Sequence, residues 1–261
     1  RTANDDFLAL ATKFEALKSD ETELVTIGLS PHSPYTVSSQ LFELLAQYAI
    51  INRVPLSIHA AESLAEIELL AQGTGFFSEV YERFELEWYS PHSSPIEYLD
   101  RLGVLSARPL LGHCVHVSED DIRRIESSGS SIAHCPKSNA KFGHGAAPLE
   151  KFLDSGITVG LGSDSVASNN LCDIIEESRF ASLNARNRLD ASRFILAEEM
   201  LHIATLGGAE SLGLDAKIGS LEVGKQADIA VISLEHESLQ PLGDVESAIV
   251  FSASGRDVLS T

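Results

Sequence analysis

The sequence predicts an α/β chain in which short parallel strands alternate with helices. Brief apolar runs rich in Val, Ile and Leu recur over most of the length without polar alternation, the pattern of strands buried on both faces. Between them lie longer stretches with apolar residues spaced by three and four, the pattern of helices that cover such a sheet. The 261 residues are 44% hydrophobic and 22% charged, the composition of a folded globular chain.

Taken in order, strands are expected at residues 24–29, 55–58, 109–112, 131–134 and 158–161. Residues 38–51 read as a helix with Leu41, Leu44, Leu45, Tyr48 and Ala49 on its apolar face. Residues 63–72 and 118–127 are helical too, each opened by a serine that can cap the first free amides. The acidic residues after Ser118 approach a capping box. These segments make five βα units. Residues 73–101 break the rhythm with Phe76, Phe77, Tyr81, Phe84, Trp88 and Tyr89, followed by a stretch rich in Ser and Pro. Such an insertion is either a lid or pocket wall, or a surface helix with ordinary core aromatics. Beyond Ser192, residues 196–206 and 208–212 are helical, and 218–234 and 247–259 are expected to be glycine-punctuated strands. The change of pattern divides the chain into an α/β part, 1–213, and a small β element, 214–261.

Lys and Arg number 19 against 38 Asp and Glu, a net charge of −19. Neutralising phosphates needs clustered cations, so nucleic-acid polymers and anionic membranes are excluded as partners. No apolar run approaches the roughly 20 residues of a membrane span, and no signal peptide is visible. Cys114, Cys135 and Cys172 are an odd, sparse set, which points to a reducing, cytoplasmic setting rather than a disulfide scaffold. The chain opens at Arg1 and holds one Met, so its natural start is expected to lie upstream.

Polar residues of metal-binding and proton-transferring type stand at the ends of the expected strands. His32 follows the first in Pro31-His-Ser-Pro-Tyr35. His59 and Glu62 end the second, His113 the third, and Asp164 the last. The length is near that of one (β/α)8 barrel, where functional residues sit at the C-terminal strand ends, so these side chains would converge on one mouth. Imidazole and carboxylate are ligands for a divalent metal, and a carboxylate beside it can shuttle protons. Each residue alone also has an ordinary explanation: a hydrogen-bonded buried histidine, a turn aspartate, a glutamate opening a helix. Their recurrence at successive strand ends, in a chain of nine histidines, favours a site.

His59-Ala-Ala-Glu62, Gly112-His-Cys-Val-His116, His134-Cys-Pro-Lys-Ser-Asn139 and Gly162-Ser-Asp-Ser-Val-Ala-Ser-Asn-Asn170 resemble the amidohydrolase superfamily. Within it they resemble the aminohydrolase branch: methylthioadenosine/S-adenosylhomocysteine deaminases, aminodeoxyfutalosine deaminase and chlorohydrolase-type triazine hydrolases. Gly219-Ser-Leu-Glu-Val-Gly-Lys-Gln-Ala-Asp-Ile-Ala-Val231 resembles the segment where these enzymes leave the barrel for a small β-sandwich. The resemblance implies a metal-dependent (β/α)8 barrel hydrolase with one divalent metal, zinc or iron. It makes His59 and Asp164 metal ligands, Glu62 the proton donor to a ring nitrogen, and Asp164 also the general base. His113 would orient the attacking oxygen or polarise the tetrahedral centre, and His32 and Ser168 would contact substrate. His116, His134 and Asn139 would support the site.

The sequence departs from that pattern in one respect. The family's first barrel strand ends in His-x-His, whose two histidines complete the metal site, and this sequence contains no His-x-His. The resemblance therefore implies an incomplete barrel, about strands four to eight, with part of a β-sandwich. The missing N-terminal half would carry two ligands, and the chain alone would be inactive. The expected activity is hydrolytic deamination of an aminated purine nucleoside derivative, a small molecule, by an enzyme that can form a homodimer. Alternatives within the branch are guanine or cytosine deamination and triazine hydrolysis. The alternative of another class is a non-catalytic binding or assembly module.

Overall fold

The computed structural model describes residues 2–261, and the chain divides into two compact units, residues 1–130 and 131–261. Among the described residues no helix is long and apolar enough to cross a membrane. All three cysteines are free thiols.

The first unit opens with a helix absent from the expected elements, α1 (Ala3–Lys18), started by a Thr2–Asp5 capping box. Phe7 and Phe14 set their rings edge-on to Tyr48 of α2 (Ser39–Asn52), with centroids 5.8 Å apart. Residues 24–29 do not form the expected strand. Leu24 and Val25 are exposed, and the run is reduced to one parallel bridge between Leu29 and Leu56. The next strand, β1 (Ser57–Ala60), forms two residues later than expected and is followed by α3 (Leu64–Gln72), capped by Ser63. The aromatic insertion holds α4 (Phe76–Arg83) and α5 (Pro95–Arg101). Strand β2 (Leu110–His113) pairs parallel with β1, from Ser57 opposite Leu110 to Ala60 opposite His113. Ile58, Ala60 and Leu111 are its buried apolar residues. The unit closes with α6 (Glu119–Ser128), whose Ser118–Asp121 capping box is complete.

The second unit begins with β3 (Ser131–His134), α7 (Pro136–Lys141) and α8 (Leu149–Asp154). Strand β4 (Val159–Leu161) pairs parallel with β3, Ile132 lying opposite Val159. Helices α9 (Val166–Asn169), α10 (Ile174–Arg186), α11 (Ala197–Ala204) and α12 (Leu206–Ser211) follow. Helix α12 lies so close to β4 that only glycine fits. A Cβ on Gly207 would sit 2.5 Å from the Val159 carbonyl oxygen, and one on Gly160 would sit 2.9 Å from the Gly208 Cα.

The C-terminal segment corrects two sequence expectations. Of residues 218–234, only β5 (Val231–Ile232) is strand. Within 247–259 the chain forms α13 (Val245–Ser252) before β6 (Val258–Ser260), which pairs antiparallel with β5. The helix forms because Asp244 caps it, accepting from the Ser247 amide at 2.8 Å, and because Val250 has a core to enter. Arg179 of α10 donates to the Val250 and Ala253 carbonyls at its C-terminal end, where helix acceptors lack partners.

Candidate functional site

The ends of the parallel strands carry unusual backbone. Ala61, His113, Cys114 and Asp164 have φ of 53, 70, 48 and 57°, in the left-handed region that costs a non-glycine residue about 1–3 kcal/mol. In the first unit hydrogen bonds hold the turns. The Cys114 amide donates to the Ala60 carbonyl at 3.1 Å, and the His116 amide to the Ala61 carbonyl at 2.9 Å. In the first unit β1 and β2 therefore end abruptly in turns held by backbone hydrogen bonds.

Four of the expected site residues gather in the first unit. The His32 ring centroid lies 5.0 Å from that of His59, which lies 5.4 Å from His113 in a stacked arrangement. His113, 2% exposed, has its Nε2 3.6 Å from Glu62 Oε1, longer than a hydrogen bond. The His59 amide donates to the His32 carbonyl oxygen at 3.0 Å, and the same oxygen lies 2.9 Å from His59 Nδ1. A carbonyl can only accept, so Nδ1 carries the proton. In a neutral ring that proton leaves the lone pair on Nε2, the form that can ligate a metal or take up a proton.

His32 Nδ1 lies 2.8 Å from Thr36 Oγ1 and 3.0 Å from Ser33 Oγ. Desolvation and the neighbouring His59 hold its pKa below the usual imidazole range, partly opposed by Glu62, so the ring is neutral near pH 7. Tyr35, three residues on, stacks on Phe77 at 4.2 Å and accepts the Tyr81 hydroxyl through its carbonyl at 2.5 Å. The insertion is thus pinned to the segment carrying His32. Together they wall a cavity of about 620 Å³ whose aromatic lining includes Tyr35, Tyr81, Trp88 and Tyr98.

Asp164 and Ser168 belong to the second unit. Asp164 Oδ2 accepts from Ser138 Oγ and Oδ1 from the Ser165 amide, both at 2.6 Å. Ser168 donates its amide to Ser165 Oγ at 3.2 Å, and the two hydroxyls are 3.0 Å apart. Behind this loop Asn169 donates to the Ser163 carbonyl at 2.6 Å and to the buried carboxylate of Glu177, whose pKa burial raises. His134 ends β3 and, like Asn139, is buried.

Among the described residues no three or more His, Cys, Asp or Glu side chains are grouped to hold a metal ion. His59 has the right tautomer, but His59 and Asp164 fall short of the three protein ligands a catalytic zinc takes. The donors among the described residues therefore do not make a metal site by themselves.

Sequence reasoning missed Glu66, Ser138 and Glu177. Glu66 is fully buried and accepts the Ala61 and Glu62 amides at 3.0 and 2.9 Å. Its spacing of four from Glu62 on a helix start was the available signal. Ser138 stands inside a quoted motif, next to Asn139, whereas nothing local marks Glu177.

The sequence matches the Amidohydrolase family. The 5-methylthioadenosine/S-adenosylhomocysteine deaminase of Pyrococcus abyssi is 35% identical over 245 residues, 94% of this chain and 53% of that protein. The 5'-deoxyadenosine deaminase of Methanothermobacter thermautotrophicus is 34% identical over 234 residues, 90% of this chain and 50% of that protein. An adenosine deaminase structure from Xanthomonas campestris with bound zinc aligns with a TM-score of 0.82 at 30% identity, covering 97% of this chain and 54% of that one. The chain spans about half the length of these relatives. The family match itself runs from residue 2 to residue 261, so every described strand end falls within it: the chain belongs to the amidohydrolase family.

Proposed function

We propose that this chain is the C-terminal part of a cytoplasmic hydrolytic deaminase of aminated purine nucleoside derivatives, of the methylthioadenosine, S-adenosylhomocysteine or aminodeoxyfutalosine type. Residues 1–213 are then barrel, and residues 214–261 part of a β-sandwich. The observation that carries the reading is the cluster at the ends of β1 and β2. There His59 is locked as the Nδ1–H tautomer and Glu62 stands 3.6 Å from His113.

The chemistry replaces an amino group on an amidine carbon by oxygen. Water adds to that carbon, and Asp164 takes the water proton. Glu62 delivers a proton to the ring nitrogen that gains charge, and His113 polarises the centre as it becomes tetrahedral. The carbon–nitrogen bond to the amino group then breaks, with a proton returned to the leaving nitrogen, and ammonia departs. His32, neutral and flanked by two hydroxyls, contacts the substrate, as does Ser168. One divalent metal, zinc in preference to iron, belongs to the reading with His59 and Asp164 among its ligands. The other ligands then come from an N-terminal half outside these residues that carries His-x-His, and the assembled enzyme can be a homodimer.

The test is ammonia release by the completed protein from methylthioadenosine, S-adenosylhomocysteine, aminodeoxyfutalosine and guanine. Turnover of one of the nucleosides is expected. Release from guanine alone would replace the nucleoside reading, and release from none would reject it.

A further inference from the structure

We propose that Glu66 is the positioning residue for Glu62: its buried carboxylate accepts the Ala61 and Glu62 amides and so fixes the turn that holds the Glu62 side chain opposite His113. The inference rests on the reading of Glu62 as a proton donor.

The geometry leaves Glu66 little else to do. Its side chain is fully buried, with Oε1 on the Ala61 amide at 3.0 Å and Oε2 on the Glu62 amide at 2.9 Å. Both oxygens are thus engaged by backbone amides. A carboxylate removed from water is costly unless hydrogen-bonded, and two N–H donors aimed at one carboxylate are strong, charge-assisted partners. Those amides lie just past the end of β1, in a turn where Ala61 takes φ of 53°. Ser63 Oγ accepts the Glu66 amide at 3.3 Å, so the same short segment that caps α3 also seats the carboxylate. The bracket runs from helix to strand end, and Glu62 is the residue between them.

Glutamine at this position keeps the shape but replaces one acceptor by an amide group that faces an N–H donor. Aspartate keeps both acceptors but is one methylene shorter and cannot span both amides from the same helix position. Two measurements separate a positioning role from general support. The first is hydrogen exchange of the Ala61 and Glu62 amides in this chain at about pH 8. Glu66→Gln is expected to accelerate both by about tenfold or more while the β2 amides keep their rates. Unchanged exchange at Ala61 and Glu62 overturns the proposal, as does uniform acceleration across β2. Should the glutamine variant not fold, Glu66→Asp is read in the same way.

The second measurement is kinetic, in the completed enzyme. Glu66→Gln is expected to lower kcat by about 10- to 100-fold with KM unchanged, and to cost nothing further once Glu62→Gln is present, since coupled residues are not additive. An equal additional loss in the double variant overturns the proposal. Absence of deaminase activity in the parent protein would instead reject the reading of Glu62, while the exchange rates still decide whether Glu66 holds the turn.

Discussion

Two carboxyl groups four residues apart divide the work at the end of β1. Glu62 faces His113, whereas Glu66 is buried and bonded to backbone. Glu62→Gln is therefore expected to lower kcat of the completed enzyme by about 10²–10⁴, the usual range for loss of a general acid, with KM little changed. A loss confined to KM would show that Glu62 binds rather than donates. Glu66 makes a separate prediction about stability. Burial pushes its pKa from 4.5 up to about 7 despite the amides that favour its charge. Between those two values the folded chain holds a proton that the unfolded chain has released, so stability falls as pH rises from about 4.5 to 7. Above that window the loss is constant. The displacement corresponds to on the order of 3 kcal/mol. Urea unfolding of the parent and Glu66→Gln at about pH 5 and 8 measures it, and the variant is expected to lose this part of the slope. An identical slope in both would mean the carboxyl titrates normally.

At the scale of elements, the positions of the site residues follow from where parallel strands stop. Residues 131–134 form the strand expected there, with Ile132 buried in it, and β1, β2 and β4 shifted by no more than two residues. His59, Glu62, His113 and Asp164 stand out in the sequence as candidates because they fall in short motifs at or just past strand ends. Residues 24–29 misled because Leu24 and Val25 are apolar without being buried. Residues 247–259 misled because β-branched residues signal strand, while the cap at Asp244 and the core contact of Val250 decide for helix. Glu66 and Ser138 were missed because a residue that holds another carries no periodic signal; only its partner distances reveal it. The close approach of α12 to β4 gives a test at this scale. Gly207→Ala places a methyl group 2.5 Å from a backbone oxygen that cannot yield, and is expected to cost about 1–3 kcal/mol of unfolding free energy. A midpoint unchanged in urea would show that the helix can slide outward freely.

The whole molecule is an amidohydrolase-family chain that covers 53% of one deaminase relative and 50% of another. Its own donors fall short of a metal site, since no group of three or more His, Cys, Asp or Glu is assembled among the described residues. The same chain nevertheless holds His59 in a ligand tautomer and seats Asp164 on two hydrogen bonds. That preparation is what the proposed reading, a catalytic half sharing its metal with another segment, uses. Bound zinc and ammonia release from methylthioadenosine are measured first for the 261 residues alone and then for the protein extended by an upstream segment carrying His-x-His. The expected result is less than one zinc and no turnover for the chain alone, and one zinc with ammonia release for the extended protein. Full turnover by the 261 residues alone, or an extended protein that binds zinc stoichiometrically yet deaminates no nucleoside, would contradict that reading.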